Sequence, residues 1–205
     1  MFIQIEITTV CNYHCFYCCG RTMNQRHMDM ETFEQIIDNL PDQPLTINLQ
    51  GEGEPLLHPQ FKNIVKTTVG HGYKPYVITN GTRLPLETIK QHFPSIGISI
   101  DTLDAQLSDR IGRVNLPKVL RNLQRLIESG YPVANINIHT VNFGQDLKPL
   151  REYLQQRGLQ NHIIQPLQSK DDYHSHYPEV RFHQPAQHNY RCPYIDNQKM
   201  LYFNI

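Results

Sequence analysis

The stretch from Thr9 to Gly20, TVCNYHCFYCCG, carries Cys11, Cys15, Cys18 and Cys19, four of the chain's five cysteines within nine positions. The first three are separated by three and then two residues. Thiolates at that spacing can face one point in space, a donor set for an iron–sulfur cluster or for zinc. A closed zinc site wants a fourth ligand, which normally comes from a second knuckle. His14 and Cys19 are the local candidates, and a second C-x-x-C pair is missing. Structural zinc and a chance group of buried thiols stay open as alternatives to a cluster.

Other chemistry-bearing residues fall at the ends of apolar runs. GEGEP, Gly51 to Pro55, follows the run LTINLQ. Glycine there lets backbone carbonyls approach a ligand closely, and a carboxylate can accept hydrogen bonds from an ammonium group. TNG, Thr79 to Gly81, ends the next run, and Ser99 and Asp101 end the one after. Taken alone, Asn-Gly is a turn, and Asp101-Thr102 could cap a following segment. Asn137 and His139 alternate with Ile136 and Ile138, so one polar strand face looks inward or outward as a set, with a satisfied core histidine the plainer reading of His139.

The elements that must position these residues alternate in type. Short β-type runs occur at 2–10, 45–50, 74–79, 96–100, 134–141 and 162–167, and helix-like periodicity at about 30–40, 59–70, 85–92, 116–129 and 146–157. In the fourth helical segment Val119, Leu120, Leu123, Leu126 and Ile127 share a face, and Gly130 closes it. Strand and helix in alternation imply an α/β fold with a parallel sheet and right-handed crossovers. Six such units fit a partial (β/α)6 TIM-like barrel, since eight take about 250 residues and six about 190. A flat doubly wound sheet is the competing architecture. In both, chemistry belongs at the carboxyl ends of the strands. The expected division is a barrel over 1–168 and an irregular His-, Pro- and Tyr-rich segment over 169–205 that ends in a short strand, KMLYFNI.

At 205 residues the chain is long enough to bury a core without disulfides. Lys plus Arg equals Asp plus Glu, so a nucleic-acid partner gets no electrostatic support. No window approaches a membrane span and the N-terminus has no basic leader, so a cytoplasmic protein is expected, where clustered thiols stay reduced.

CNYHCFYC resembles the C-x-x-x-C-x-aromatic-C motif of the radical S-adenosylmethionine (radical SAM) enzymes, and the resemblance extends over about residues 2–168. It implies the partial barrel, with Cys11, Cys15 and Cys18 holding three irons of a [4Fe–4S] cluster. The fourth iron is then open to the amino and carboxylate groups of S-adenosylmethionine. Cys19 lies outside the motif and reads as a small, partly buried loop residue; His14 shapes the loop. The resemblance puts Tyr17 against the adenine and Gly53, Glu54 and Pro55 on the motif that binds the methionine amino group. Thr79 and Asn80 point by position toward the barrel mouth, and Ser99 with Asp101 resembles the family's pair that approaches the ribose and carboxylate of the cofactor. It further implies a reduced cluster that cleaves S-adenosylmethionine to a 5′-deoxyadenosyl radical, a reductant such as flavodoxin or ferredoxin, and abstraction of a substrate hydrogen. RCPYIDNQKMLYFNI resembles the opening of a SPASM- or twitch-like auxiliary-cluster domain, which favours a peptide or protein substrate. A small molecule such as a nucleoside or pterin is the first alternative, and a non-catalytic iron–sulfur or zinc protein the second. Cys192 reads as a packed residue, and His174, His176, His183 and His188 as a solvated surface.

Overall fold

The computed structural model describes residues 2–18, 22–167 and 200–203. Cys19, Cys192 and the four tail histidines lie outside the described residues, as does most of the expected irregular segment.

Strands β1 (Phe2–Ile5), β2 (Thr46–Asn48) and β3 (Lys74–Tyr76) pair in parallel, as do β4 (Ile78–Thr79), β5 (Ile96–Ser99), β6 (Ile136–Asn142) and β7 (Asn161–Pro166). The run expected as one strand over 74–79 is split at Val77. There the chain changes neighbours: Leu49 N–H donates to Tyr76 O at 2.9 Å, and Gly97 N–H to Val77 O at 2.8 Å. The final strand, β8 (Met200–Phe203), adds in parallel to the free edge of β1, with Phe2 opposite Met200 and Ile5 opposite Phe203. The sheet order is thus β8, β1, β2, β3 and then β4, β5, β6, β7. Among the described residues no ladder joins β7 to β8, so the barrel is partial, as expected, and not a flat doubly wound sheet with helices on both faces.

Helices α1 (Met30–Asp38), α2 (Phe61–Gly70), α3 (Leu86–His92), α4 (Ala105–Arg110), α5 (Leu116–Glu128) and α6 (Lys148–Gln156) lie in the crossovers. Five coincide with periodic segments in the sequence. The sixth, α4, has six residues, too few for a period to show, and it is Asp104 that caps it, accepting from Gln106 N–H and Leu107 N–H. Asp101 and Thr102 are therefore not its cap. In α5, Leu116, Val119, Leu123 and Leu126 are buried, each side chain stabilising by about 1.5–3 kcal/mol. This helix starts from Asn115, whose left-handed φ of 68° turns the chain, and stops at Gly130, φ 83°.

The core lies between strands and helices. Ile3, Ile47, Ile96, Ile136 and Ile138 are wholly buried against Phe33, Ile64, Leu123 and Leu150. In β6 the alternate residues His139 and Val141 face the barrel interior and line its cavity, which settles the direction of that polar face.

Candidate active site at the carboxyl end of the barrel

A cavity of about 230 Å³ opens at the carboxyl ends of the strands, walled by Cys11, Cys15, Cys18, Glu54, Ser99 and Arg113 among others. The cysteine loop is held from outside the cavity by backbone. His14 N–H donates to Gly112 O at 3.1 Å and Phe16 N–H to Ile111 O at 3.2 Å. Gly112, φ 85°, is indispensable to that approach, because a Cβ would stand 2.1 Å from His14 O. His14 thus shapes the loop through its main chain. Cys11 N–H is tied to Gln25 Oε1 at 3.0 Å, and Cys18 Sγ sits 3.5 Å from Glu52 Oε2.

The GEGEP turn is seated by glycine as well. A Cβ on Gly53 would meet Thr8 O at 2.3 Å, so only glycine lets the turn lie against the continuation of β1. Glu54 is 3% exposed. Its Oε1 accepts from Thr79 Oγ1 at 2.6 Å and Leu56 N–H at 3.1 Å, and Oε2 accepts from Asn80 N–H at 2.7 Å. Burial pushes its pKa up, and these three donors pull against that rise. Pro55 begins the 3-10 turn Pro55–Leu57 that Glu54 caps. Asn80 Nδ2 then reaches Asn12 Oδ1 at 2.8 Å, linking the turn and β4 to the cysteine loop. Glu54, Thr79 and Asn80 line the cavity and also bind one another.

Asp101, 2% exposed, is committed on both oxygens. Oδ1 accepts from Val141 N–H at 2.8 Å, and Oδ2 accepts the Tyr17 hydroxyl and lies 3.1 Å from Arg113 Nε. Burial pushes the Tyr17 phenol well above its usual range. Burial alone would lower the Arg113 guanidinium, yet Asp101, Tyr17 and Cys15 raise it further, so it keeps its charge. Arg113 lies 5.8 Å over the Tyr17 ring and is the single Lys or Arg among the residues lining this cavity. Ser99 differs from its neighbours: its hydroxyl lines the cavity without a hydrogen bond to any described residue. Sequence reasoning missed Arg113 because it sits just beyond the unexpected α4, in a loop with no motif to mark it.

Tyr76 was missed as well. Its hydroxyl meets His139 Nε2 at 3.1 Å across Gly97, where a Cβ would come within 3.0 Å of both side chains. Burial holds the His139 pKa down at about 4, so a neutral imidazole faces the cavity.

Two observations test whether a cluster and S-adenosylmethionine fit these residues. Among the described residues no three Cys, His, Asp or Glu side chains are grouped to hold one ion. Cys11, Cys15 and Cys18 all line the one cavity, and thiolates are the donors that an iron–sulfur cluster takes. Further, Tyr13 lines the same cavity, and its hydroxyl is buried without a hydrogen-bond partner among the described residues. Burial pushes that phenol up to about 12 and the Cys11 thiol up to about 11. An orphaned donor beside three thiols is what a missing acceptor leaves behind. The donor set fits.

A parallel partial barrel with three loop thiols and a buried carboxylate at its mouth defines a class of metal-dependent catalytic barrel. The chain belongs to the Radical SAM superfamily, which it matches over residues 5–156. Enzymes of this superfamily use a [4Fe–4S] cluster and S-adenosylmethionine. Among its relatives, an S-adenosylmethionine-dependent nucleotide dehydratase of Selenomonas ruminantium is 31% identical over 152 residues, 68% of this chain and 55% of the relative. A GTP 3′,8-cyclase of Pasteurella multocida is 27% identical over 196 residues, 80% of this chain and 56% of that one. The chain therefore spans about half the length of these relatives. In fold it is similar to Streptococcus suis SuiB bound to S-adenosylmethionine, with a TM-score of 0.71 and 15% identity over 98% of this chain and 49% of SuiB. SuiB bound to its precursor peptide SuiA aligns with a TM-score of 0.69 and 16% identity over 82% of this chain and 39% of that one. Among the described residues no helix is long and apolar enough to cross a membrane.

Proposed function

We propose that this barrel reductively cleaves S-adenosylmethionine and abstracts a hydrogen atom from a peptide or protein side chain. When bound, the cluster and S-adenosylmethionine supply a 5′-deoxyadenosyl radical. Cys11, Cys15 and Cys18 hold the cluster. Gly53, Glu54 and Pro55 shape the surface for the methionine amino group, with Thr79 and Asn80 fixing the Glu54 carboxylate. The open Ser99 hydroxyl and the charged Arg113 are the groups with capacity for a carboxylate. Asp101 works by orienting Arg113 and Tyr17, and Tyr17 offers its ring as a wall for the adenine. The electron comes from a donor of the flavodoxin or ferredoxin kind.

One observation carries the peptide reading. Because β8 runs parallel to β1, the chain at Phe203 points to the carboxyl end of the barrel, and Phe203 O accepts from Glu6 N–H at 2.8 Å. Residues 200–203, the described part of the segment resembling the start of an auxiliary-cluster domain, are thereby tied to the edge of the strand that leads into the cysteine loop. The fold neighbour crystallised with a precursor peptide supports the same reading. A second reading, a nucleotide substrate, is favoured by the relatives named as a nucleotide dehydratase and a GTP cyclase.

The test is anaerobic reconstitution with iron and sulfide, chemical reduction, and assay of 5′-deoxyadenosine with a library of short synthetic peptides or with CTP and GTP. Peptide-stimulated release, a changed peptide mass, and loss of both in Cys15→Ala are expected. Consumption of CTP or GTP with the peptides unchanged would overturn the peptide reading in favour of the nucleotide one.

A further inference from the structure

A second cavity, of about 660 Å³, lies outside the cofactor cavity at the same end of the barrel. It is formed by the segment leading into α2, by Thr82 to Pro85 after β4, and by one face of α5. Lys62, Arg83, Lys118 and Arg125 line it, and no Asp or Glu does. None of these four cations has a carboxylate within 4.0 Å among the described residues. Lys118 and Arg125 are seven apart on α5, hence on one helix face. The chain as a whole carries no net charge, so these four cations are a local excess of this cavity's lining.

The rest of the wall matches a particular kind of anion. Helix α2 starts here too, its entry fixed by His58, whose Nδ1 accepts from Gln60 N–H at 3.1 Å and whose carbonyl accepts from Phe61 N–H at 3.1 Å. Leu56, Phe61 and Leu84 give an apolar floor beside the cations. Asn122 holds the loop in place by donating to Gly81 O at 2.9 Å and Thr82 O at 3.1 Å. Two guanidinium groups that can bind bidentately, two ammonium groups and an apolar floor suit a phosphate chain attached to a flat apolar group. The volume falls within the range for small ligands, and a concave site of this size admits a molecule rather than the face of a protein domain.

We propose that this cavity binds the polyphosphate group of a small molecule, at a site separate from that of S-adenosylmethionine. A smaller cavity of about 180 Å³ continues from it, sharing Thr82, Arg83 and Lys118 and reaching Asn12 and Tyr13 of the cysteine loop. An anion seated between Arg83 and Lys118 therefore lies against the back of that loop.

Calorimetric titration of the reconstituted, unreduced protein with inorganic tripolyphosphate and with ATP, GTP and CTP tests the site without depending on turnover or on the substrate reading. Saturable binding that weakens with salt is expected, and saturating S-adenosylmethionine should leave it in place. Lys118→Glu and Arg125→Glu should each weaken it about tenfold or more, a loss of about 1.4 kcal/mol. Arg121→Glu, on the same helix but not lining the cavity, should change it less than about twofold. Nucleotides binding much tighter than tripolyphosphate identify a nucleotide through the apolar floor; equal binding identifies free polyphosphate; both sustain the site. No saturable binding at millimolar ligand, equal loss in Arg121→Glu, competition by S-adenosylmethionine, or displacement by an acidic polypeptide such as polyglutamate would overturn it.

Discussion

Around the cysteine cavity Glu54 and Asp101 are buried and answered: Glu54 by Thr79, Leu56 and Asn80, and Asp101 by Tyr17, Val141 and Arg113. In the neighbouring rim cavity Lys62, Arg83, Lys118 and Arg125 are exposed, and none is ion-paired with a described residue. The first arrangement has already met the desolvation cost of its charges and holds them in one geometry. The second keeps its charges hydrated and movable, and gains its order from whatever anion enters. Substitutions in the first should therefore disturb the fold and the chemistry together, whereas those in the second should alter binding and leave the fold alone.

The largest effect that would sharpen this contrast is expected at Gly112, which has no chemistry of its own. Alanine there must tolerate a left-handed φ and a Cβ 2.1 Å from His14 O, so the cysteine loop must move. Gly112→Ala should cost about 3 kcal/mol in urea unfolding and lower the iron retained on reconstitution. Lys118→Ala should stay within about 0.5 kcal/mol. Comparable losses for the two variants would break the distinction between the cavities.

A smaller effect is tied to pH. Burial holds His139 at about 4, below the ordinary value near 6.5, so between those limits the unfolded chain binds a proton that the folded chain refuses. Stability should fall as pH drops from about 6.5 to about 4 and lose no more through this group below that. Since His139 is only partly buried, its share is about 1–2 kcal/mol rather than the full converted shift. His139→Gln should flatten part of the slope measured by unfolding at several pH values. His58 and His162 shift in the same direction, for the same first cause, and retain the remainder. A slope unchanged in His139→Gln would mean that burial does not hold this imidazole neutral.

What could be read from the sequence, and what could not, follows the same division. Period and spacing exposed α5 through Val119, Leu123 and Leu126, and exposed Cys11, Cys15 and Cys18, because each signal is local. The β1 edge taken by β8 was hidden, since parallel pairing between residues 2 and 200 leaves no pattern in either segment. Arg113 and Tyr76 were hidden for a related reason: their partners Asp101 and His139 lie twelve and sixty-three positions away. The cations of the rim cavity were visible only as a neutral overall balance, because three chain segments bring them together. For Glu54 and Asp101, which line the cavity at the mouth, the saturation by neighbours was not legible either.

Tyr13 borders the cysteine cavity and the small cavity that adjoins the rim site, and its expected effect is the smallest. Its hydroxyl is buried without a partner among the described residues, an arrangement that costs the folded chain about 1 kcal/mol or more unless something accepts from it. Tyr13→Phe removes that hydroxyl and keeps the ring. Without iron, the variant should unfold no more easily than the parent and should gain up to about 1 kcal/mol. After reconstitution, the sign should reverse: the parent regains a donor for the cluster or for S-adenosylmethionine, and the variant does not. The difference between the two stability measurements isolates the hydroxyl, because the ring's packing cancels. An equal gain in both states would show that no acceptor enters near Tyr13, and would leave the loop thiols as the whole of the cluster's protein environment on that side.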